Sequence, residues 1–167
     1  DDHKIYDVTL KSGLRWSDGE PLTANDVLFT FETIQNPEVG SPLSASFQGV
    51  KIQKINDRTI RFTLKQPFAP FVHTLVTGII PEHVWGTIDN PSHIKLAKTN
   101  LEPIGSGPWQ FDRLIKREGG GIEALFLLAP DDAAHVLGGN VPDRLAADVR
   151  QDILFQVAAR HGHVLTV

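Results

Sequence analysis

The chain opens on an alternation of apolar and polar positions. In Ile5-Tyr-Asp-Val-Thr-Leu10 the residues Tyr6, Val8 and Leu10 fall every second place, the period of a strand with one face buried. Lys11-Ser12-Gly13 reads as a turn, and Leu14-Arg15-Trp16 resumes an extended path. Ser17-Asp18-Gly19-Glu20-Pro21 turns again, because Asp-Gly supplies a residue of positive φ and Pro21 cannot continue a ladder. The period then changes. Ala24, Val27, Leu28, Phe31 and Ile34 mark one face of a helix of about 12 residues. Thr23 is a suitable N-cap, and Asp26, three residues on, can meet the free amides of the first turn. Asn36-Pro37 ends the helix, and Pro37 to Gly49 reads as a loop.

A hairpin follows. Val50, Ile52 and Ile55 lead to a turn at Asn56-Asp57-Arg58, and Thr59 to Leu64 answers with Ile60, Phe62 and Leu64 turned inward. Pro67 to Phe71 opens a short helix through Leu75, with Pro70 tolerated in its first turn. Ile79-Ile80 is a buried extended piece, Pro81 to Trp85 a helical turn, and Ser92 the cap of a short helix through Ala97. Pro103-Ile-Gly-Ser-Gly-Pro108 is a glycine-rich loop, after which Trp109, Phe111 and Leu114 begin a strand.

The clearest change of character falls at Arg117-Glu118-Gly119-Gly120-Gly121. Residues 1–121 hold eight Lys and four Ala, whereas residues 122–167 hold no Lys and eight Ala. The expected organisation is therefore a body over 1–117, a glycine-rich junction over 118–121, and a strand plus an amphipathic helix over 122–167. The strand is Ile122 to Leu128. Asp143 can cap a helix through about Ala159, in which Leu145, Val149, Ile153 and Val157 recur every four residues, and Gly162 would stop it. The fold class expected is α+β: a small mixed or antiparallel sheet with short helices, plus a C-terminal helix.

Composition narrows the chemistry. A net charge of −4 gives no basic surface, so nucleic acid is not an expected partner. No apolar run reaches the length of a membrane span. Without Cys there is no disulfide, thiol nucleophile or Cys-ligated metal. Without Met, and with Asp1-Asp2-His3-Lys4 leading straight into a strand in place of a signal peptide, a processed, partial or trimmed chain is expected.

Four blocks in order resemble the family 5 extracellular solute-binding proteins, the peptide- and nickel-binding components of ABC importers. They are Trp16-Ser-Asp-Gly-Glu-Pro-Leu-Thr-Ala-Asn-Asp-Val27, the hairpin Val50 to Leu64, Ile80-Pro-Glu-His83, and Pro103-Ile-Gly-Ser-Gly-Pro-Trp109. The likeness covers residues 4–117 and corresponds to the smaller subdomain inserted into the first lobe of that family. Residues 118–167 depart from the family pattern. The resemblance implies a periplasmic or extracellular setting. It also implies that a longer parent would bind a peptide or small solute and meet an ABC importer permease. A lone piece with one wall of the cleft is not expected to bind solute tightly.

Residue chemistry agrees with a non-catalytic chain. Trp16, Asp18, Gly19, Pro21, Thr23 and Asp26 explain themselves as turn and helix cap, with Trp16 as core. Gly105, Ser106 and Gly107 could cradle an anion through successive amides, and Trp109 could stack on a ligand; a tight crossing and a core Trp are the plainer readings. The loop lacks the Gly-Lys-Ser/Thr ending of a phosphate loop and the Gly-x-Ser-x-Gly of a nucleophile elbow. Of seven His, only His161 and His163 lie close together, and no His-Glu-x-x-His occurs, so no metal and no cofactor is expected. His83 reads as structural. Asp131-Asp132 reads as solvated or helix-capping. Ser, His and Asp show no local signature of a hydrolase. A separate expectation is a free-standing or recombined interaction or scaffold domain that associates with itself or a partner through the 143–159 helix.

Overall fold

The computed structural model describes residues 3–116, 118, 122–128, 158–159 and 164–166. Strands β1 (Ile5–Thr9), β2 (Lys51–Asn56) and β3 (Thr59–Thr63) join two short C-terminal strands, β6 (Ala158–Ala159) and β7 (Val164–Thr166), in a five-stranded sheet ordered β2-β3-β1-β7-β6. β3 pairs antiparallel with both β1 and β2, whereas β7 runs parallel to β1. A second, two-stranded antiparallel sheet is formed by β4 (Trp109–Lys116) and β5 (Ile122–Leu128). With helices α1 (Ala24–Gln35), α2 (Ser44–Phe47), α3 (Phe71–Thr74) and α4 (Glu82–Trp85), the fold is α+β.

The core forms where the strand and helix periods meet. Tyr6, Val8 and Leu10 of the first strand region and Ile60, Phe62 and Leu64 of the hairpin face Ala24, Val27, Phe31 and Ile34 of α1. At its centre lie aromatic rings. Phe31 meets Phe47 edge-on at 4.7 Å and Phe62 at 5.1 Å, while Phe71 touches Tyr6 at 5.2 Å. Offset and edge-on pairs of this kind add about 0.5–1.5 kcal/mol each beyond the area they bury. Solvent-facing positions carry the polar partners: Asp7 and Arg61, opposite one another on β1 and β3, form a bidentate pair with both bonds at 2.7 Å.

Three expectations need correction. The segment 37–49 is not all loop, since Ser44–Phe47 forms α2 and sends Phe47 into the core. Within the hairpin, Ile55 is the extra residue of a β-bulge between Lys54 and Asn56, and the bulge leaves it exposed. The short helix after Asn90 is 3₁₀, over Pro91–Leu96, and its cap is Asn90, whose side chain accepts from the Ser92 N–H. Of the helix expected over 143–159, Ala158–Ala159 are extended as β6; the rest lies outside the described residues.

Candidate functional site

The chain from Leu14 to Leu22 folds back on itself. The Trp16 N–H donates to the Glu20 carbonyl, the Gly19 N–H to Trp16, and the Leu22 N–H to Leu14. Gly19 sits at φ 93°, which a side chain would strain, so the Asp-Gly step is required by the turn. Asp18 accepts from the Glu20 N–H, Arg15 donates to the Gly19 carbonyl, and Arg15 and Pro21 face each other in an antiparallel bridge. Trp16 is core, as its sequence position suggested.

Thr23 and Asp26 then start α1 with a reciprocal capping box. Thr23 Oγ1 accepts from the backbone at the start of the helix, and Asp26 Oδ2 accepts from the Thr23 N–H at 2.7 Å. Asp26 has a second duty that the local sequence does not announce: its Oδ1 accepts from the Glu82 N–H at 2.9 Å, the start of α4. Two helices thus take their first amide partners from one carboxylate. Four residues on, Thr30 Oγ1 donates to the Asp26 carbonyl and accepts from the Ile80 N–H at 3.0 Å. Together these bonds fix the segment Ile80-Pro81-Glu82 against α1.

The turn is also where the glycine-rich loop is tied to the body. The Ser17 N–H donates to the Gly105 carbonyl at 2.8 Å, and Gln110 Nε2 donates to the Ser17 carbonyl at 3.0 Å. On the turn's other side His83 Nε2 lies 2.8 Å from Asp18 Oδ2. Partial burial opposes ionisation of Asp18, but the hydrogen bonds from His83 and the Glu20 N–H outweigh it and hold the carboxyl below its usual range. Ser17 and Asp18, held in place by the turn, therefore form a junction that ties together the crossing loop, the start of β4 and α4.

Of the residues singled out for ligand contact, Gly105, Ser106, Gly107 and Trp109 lie together on this crossing. Neither glycine adopts a left-handed backbone. Gly107 has open space where a Cβ would stand, and at Gly105 the nearest atom to such a Cβ is the Trp109 carbonyl oxygen at 4.0 Å. Trp109 is 39% exposed and so is not the core residue that its strand position suggested. An open groove of about 590 Å³ lies elsewhere, lined by Gln35, Pro37, Ser44, Gln48, Val50 and Lys51, and none of the four residues of the crossing lines it. Gln35 is not free to meet a ligand there, because its amide donates to the Phe47 and Val50 carbonyls. Among the described residues no group of His, Asp and Glu is arranged to hold a metal, and no helix is long and apolar enough to cross a membrane. Asp131, Asp132, His161 and His163 lie outside the described residues.

Comparison with known proteins gives this geometry a lineage. The model of the bacterial extracellular solute-binding proteins, family 5 Middle, matches residues 1–119. Protein XP55 of Streptomyces lividans is 37% identical over 125 residues, which are 74% of this chain and 22% of that protein. The oligopeptide-binding protein AppA of Bacillus subtilis is 30% identical over 109 residues, 64% of this chain and 20% of that one. The crystal structure of the Bacillus subtilis AppA protein in complex with a nonapeptide superposes on 78% of this chain and 26% of its own, with a TM-score of 0.68 and 26% identity. The chain thus spans about a fifth of the length of these curated relatives. It belongs to the bacterial extracellular solute-binding proteins, family 5.

Proposed function

We propose that this chain is one structural part of a solute-binding component of an ABC importer, with a peptide or related solute as the ligand of the whole. The match of residues 1–119 to the family carries this reading. The relatives' names point to peptides, and family 5 proteins work in the periplasm or outside the cell, which is the setting proposed here. The contribution of the part is architectural and not catalytic. Turn 16–21, the Asp26 double cap and the crossing loop at 103–109 make a rigid unit, and that unit would present Gly105, Ser106, Gly107 and Trp109 toward the remainder of the protein. Ligand capture in the whole protein would need two closing lobes, and this chain supplies about a fifth of that length. Tight solute binding by the chain alone is therefore not expected.

A graft tests the reading. Residues 4–117 replace the matching segment of Bacillus subtilis AppA, and nonapeptide binding is followed by calorimetry, with thermal melting to establish that the hybrid folds. Retained binding within about tenfold, or 1.4 kcal/mol, is expected. A folded hybrid without binding would sink the proposal. Titration of the present chain with di- to pentapeptides checks the other half, where saturable micromolar heat would show an independent binder.

A further inference from the structure

Asp18-Gly19 is the one Asp-Gly step in the sequence, and the sequence has no Asn-Gly. This dipeptide carries a reactivity that its work as a turn does not use. Glycine has no side chain to shield its own amide nitrogen. That nitrogen can attack the carboxyl carbon of the preceding aspartic acid. A C–N bond forms, and the carboxyl O–H leaves as water with the amide proton. The product is a cyclic succinimide. Water reopens the ring at either carbonyl, to aspartate again or to isoaspartate. In isoaspartate the main chain runs through Cβ and is one atom longer.

Both reacting groups are engaged in the folded turn. The Gly19 N–H donates to the Trp16 carbonyl at 2.9 Å, and Arg15 Nη1 holds the Gly19 carbonyl at 2.8 Å. Each oxygen of Asp18 has a partner: Oδ1 accepts from the Glu20 N–H at 3.1 Å, and Oδ2 lies 2.8 Å from His83 Nε2. Ring closure must free the Gly19 amide from Trp16 and turn the carboxyl away from Glu20 and His83. Burial does not supply the protection, since the His83 and Asp18 side chains are 37% and 30% exposed. Ionisation adds to it. Against the opposing effect of burial, the bonds from His83 and the Glu20 N–H hold the carboxyl below its usual range. A carboxylate must regain its proton before an oxygen can leave as water.

We propose that Asp18 is a guarded modification site: the native turn holds off succinimide and isoaspartate formation, and His83 of α4 is the residue that keeps the Asp18 carboxyl turned away from the Gly19 nitrogen. The place matters because Ser17, next in the chain, carries both ties to the crossing, from its N–H to Gly105 and from Gln110 to its carbonyl. An extra main-chain atom at Asp18 shifts those ties, so chemical ageing at one residue loosens the crossing loop.

The test uses the full chain in heavy-oxygen water at mildly acidic pH, folded and, in parallel, unfolded in urea. Each passage through the succinimide adds one heavy oxygen, read by mass in the proteolytic peptide that contains Asp18. The folded chain should label at least about tenfold more slowly than the unfolded one, because its bonds must first open locally. His83→Ala and His83→Phe both lack the ring nitrogen that meets Asp18. In whichever keeps the parent's thermal transition, labelling should be about two- to fivefold faster than in the parent, the factor expected of a partly exposed pair. Equal rates in the folded and unfolded parent would overturn the proposal. So would a folded His83 variant that labels no faster than the parent, since the backbone of the turn would then protect Asp18 without His83.

Discussion

The Asp26 carboxylate is only 4% exposed, yet it accepts backbone N–H groups from Thr23 and Glu82, two segments far apart in the chain. Removing it orphans two donors, one of them at the start of α4. Asp26→Ala should therefore lower stability by about 2–4 kcal/mol, more than a simple cap loss of about 1 kcal/mol; urea unfolding checks this, and a loss near 1 kcal/mol would mean that the Glu82 bond contributes nothing. Asp7 behaves differently because it lies on the solvent face. Two hydrogen bonds from Arg61 hold its carboxyl below the usual range, against a smaller opposing effect of burial. A depressed folded pKa stabilises above the unfolded value, and that stabilisation is lost as pH falls through the folded one. Asp7→Asn should thus be less stable than the parent near pH 7, with the gap closing as the pH falls through and below the ordinary carboxylate range. Melts across that range decide, and a gap independent of pH would show that the ion pair is not its cause. At this scale the sequence was readable for groups whose partners are near in the chain, such as Thr23 with Asp26. It was silent for Asp26 with Glu82, Asp18 with His83 and Ser17 with Gly105, because those partners are set by how α1, α4 and the crossing loop pack.

Elements with a strong period were legible in the sequence. β1, α1 and β3 follow their alternating or helical patterns, and the Thr23 cap starts α1 where expected. Short elements were not. α2 has four residues, no side-chain cap and a sequence, Ser-Ala-Ser-Phe, too short to show a period. Tertiary packing makes it helical: Phe47 is 1% exposed, 4.7 Å from Phe31 and 6.2 Å from Phe71, and its carbonyl accepts from Gln35. Ile55 stands three places after Ile52, out of step with the strand alternation, and the bulge between Lys54 and Asn56 leaves it exposed. Phe47→Ala should cost about 3–5 kcal/mol, as for other buried Phe truncations. An effect below about 1 kcal/mol in denaturant unfolding, the range typical of a surface loop, would mean that α2 is dispensable to the core.

For the whole molecule, the four sequence blocks marked the family because they encode the junction itself: a turn, a double-capped helix, a hairpin and a crossing loop held by backbone bonds. The candidate contact residues were less legible, since Gly105, Ser106, Gly107 and Trp109 have chemistry that suits either a tight crossing or a ligand contact; the structure adds their common place on the crossing and the exposure of Trp109. The described core speaks more directly to how the molecule is divided. Every residue of its main cluster lies between Tyr6 and Ile79, although β7 adds an edge beside β1. Ending the chain at Glu118 removes three backbone-paired positions on that edge and leaves the aromatic centre untouched. The truncated chain should keep a single cooperative unfolding transition, losing the pairing of β7 with β1 and of β5 with β4 but no residue of the core cluster. Amide exchange would show where the loss falls. Protection should drop along β1 and at β4, which the cut deprives of β5, while α1 and β3 hold theirs. Loss of the transition itself would instead mean that the C-terminal residues complete the core, and that the body over residues 4–117 does not fold without them.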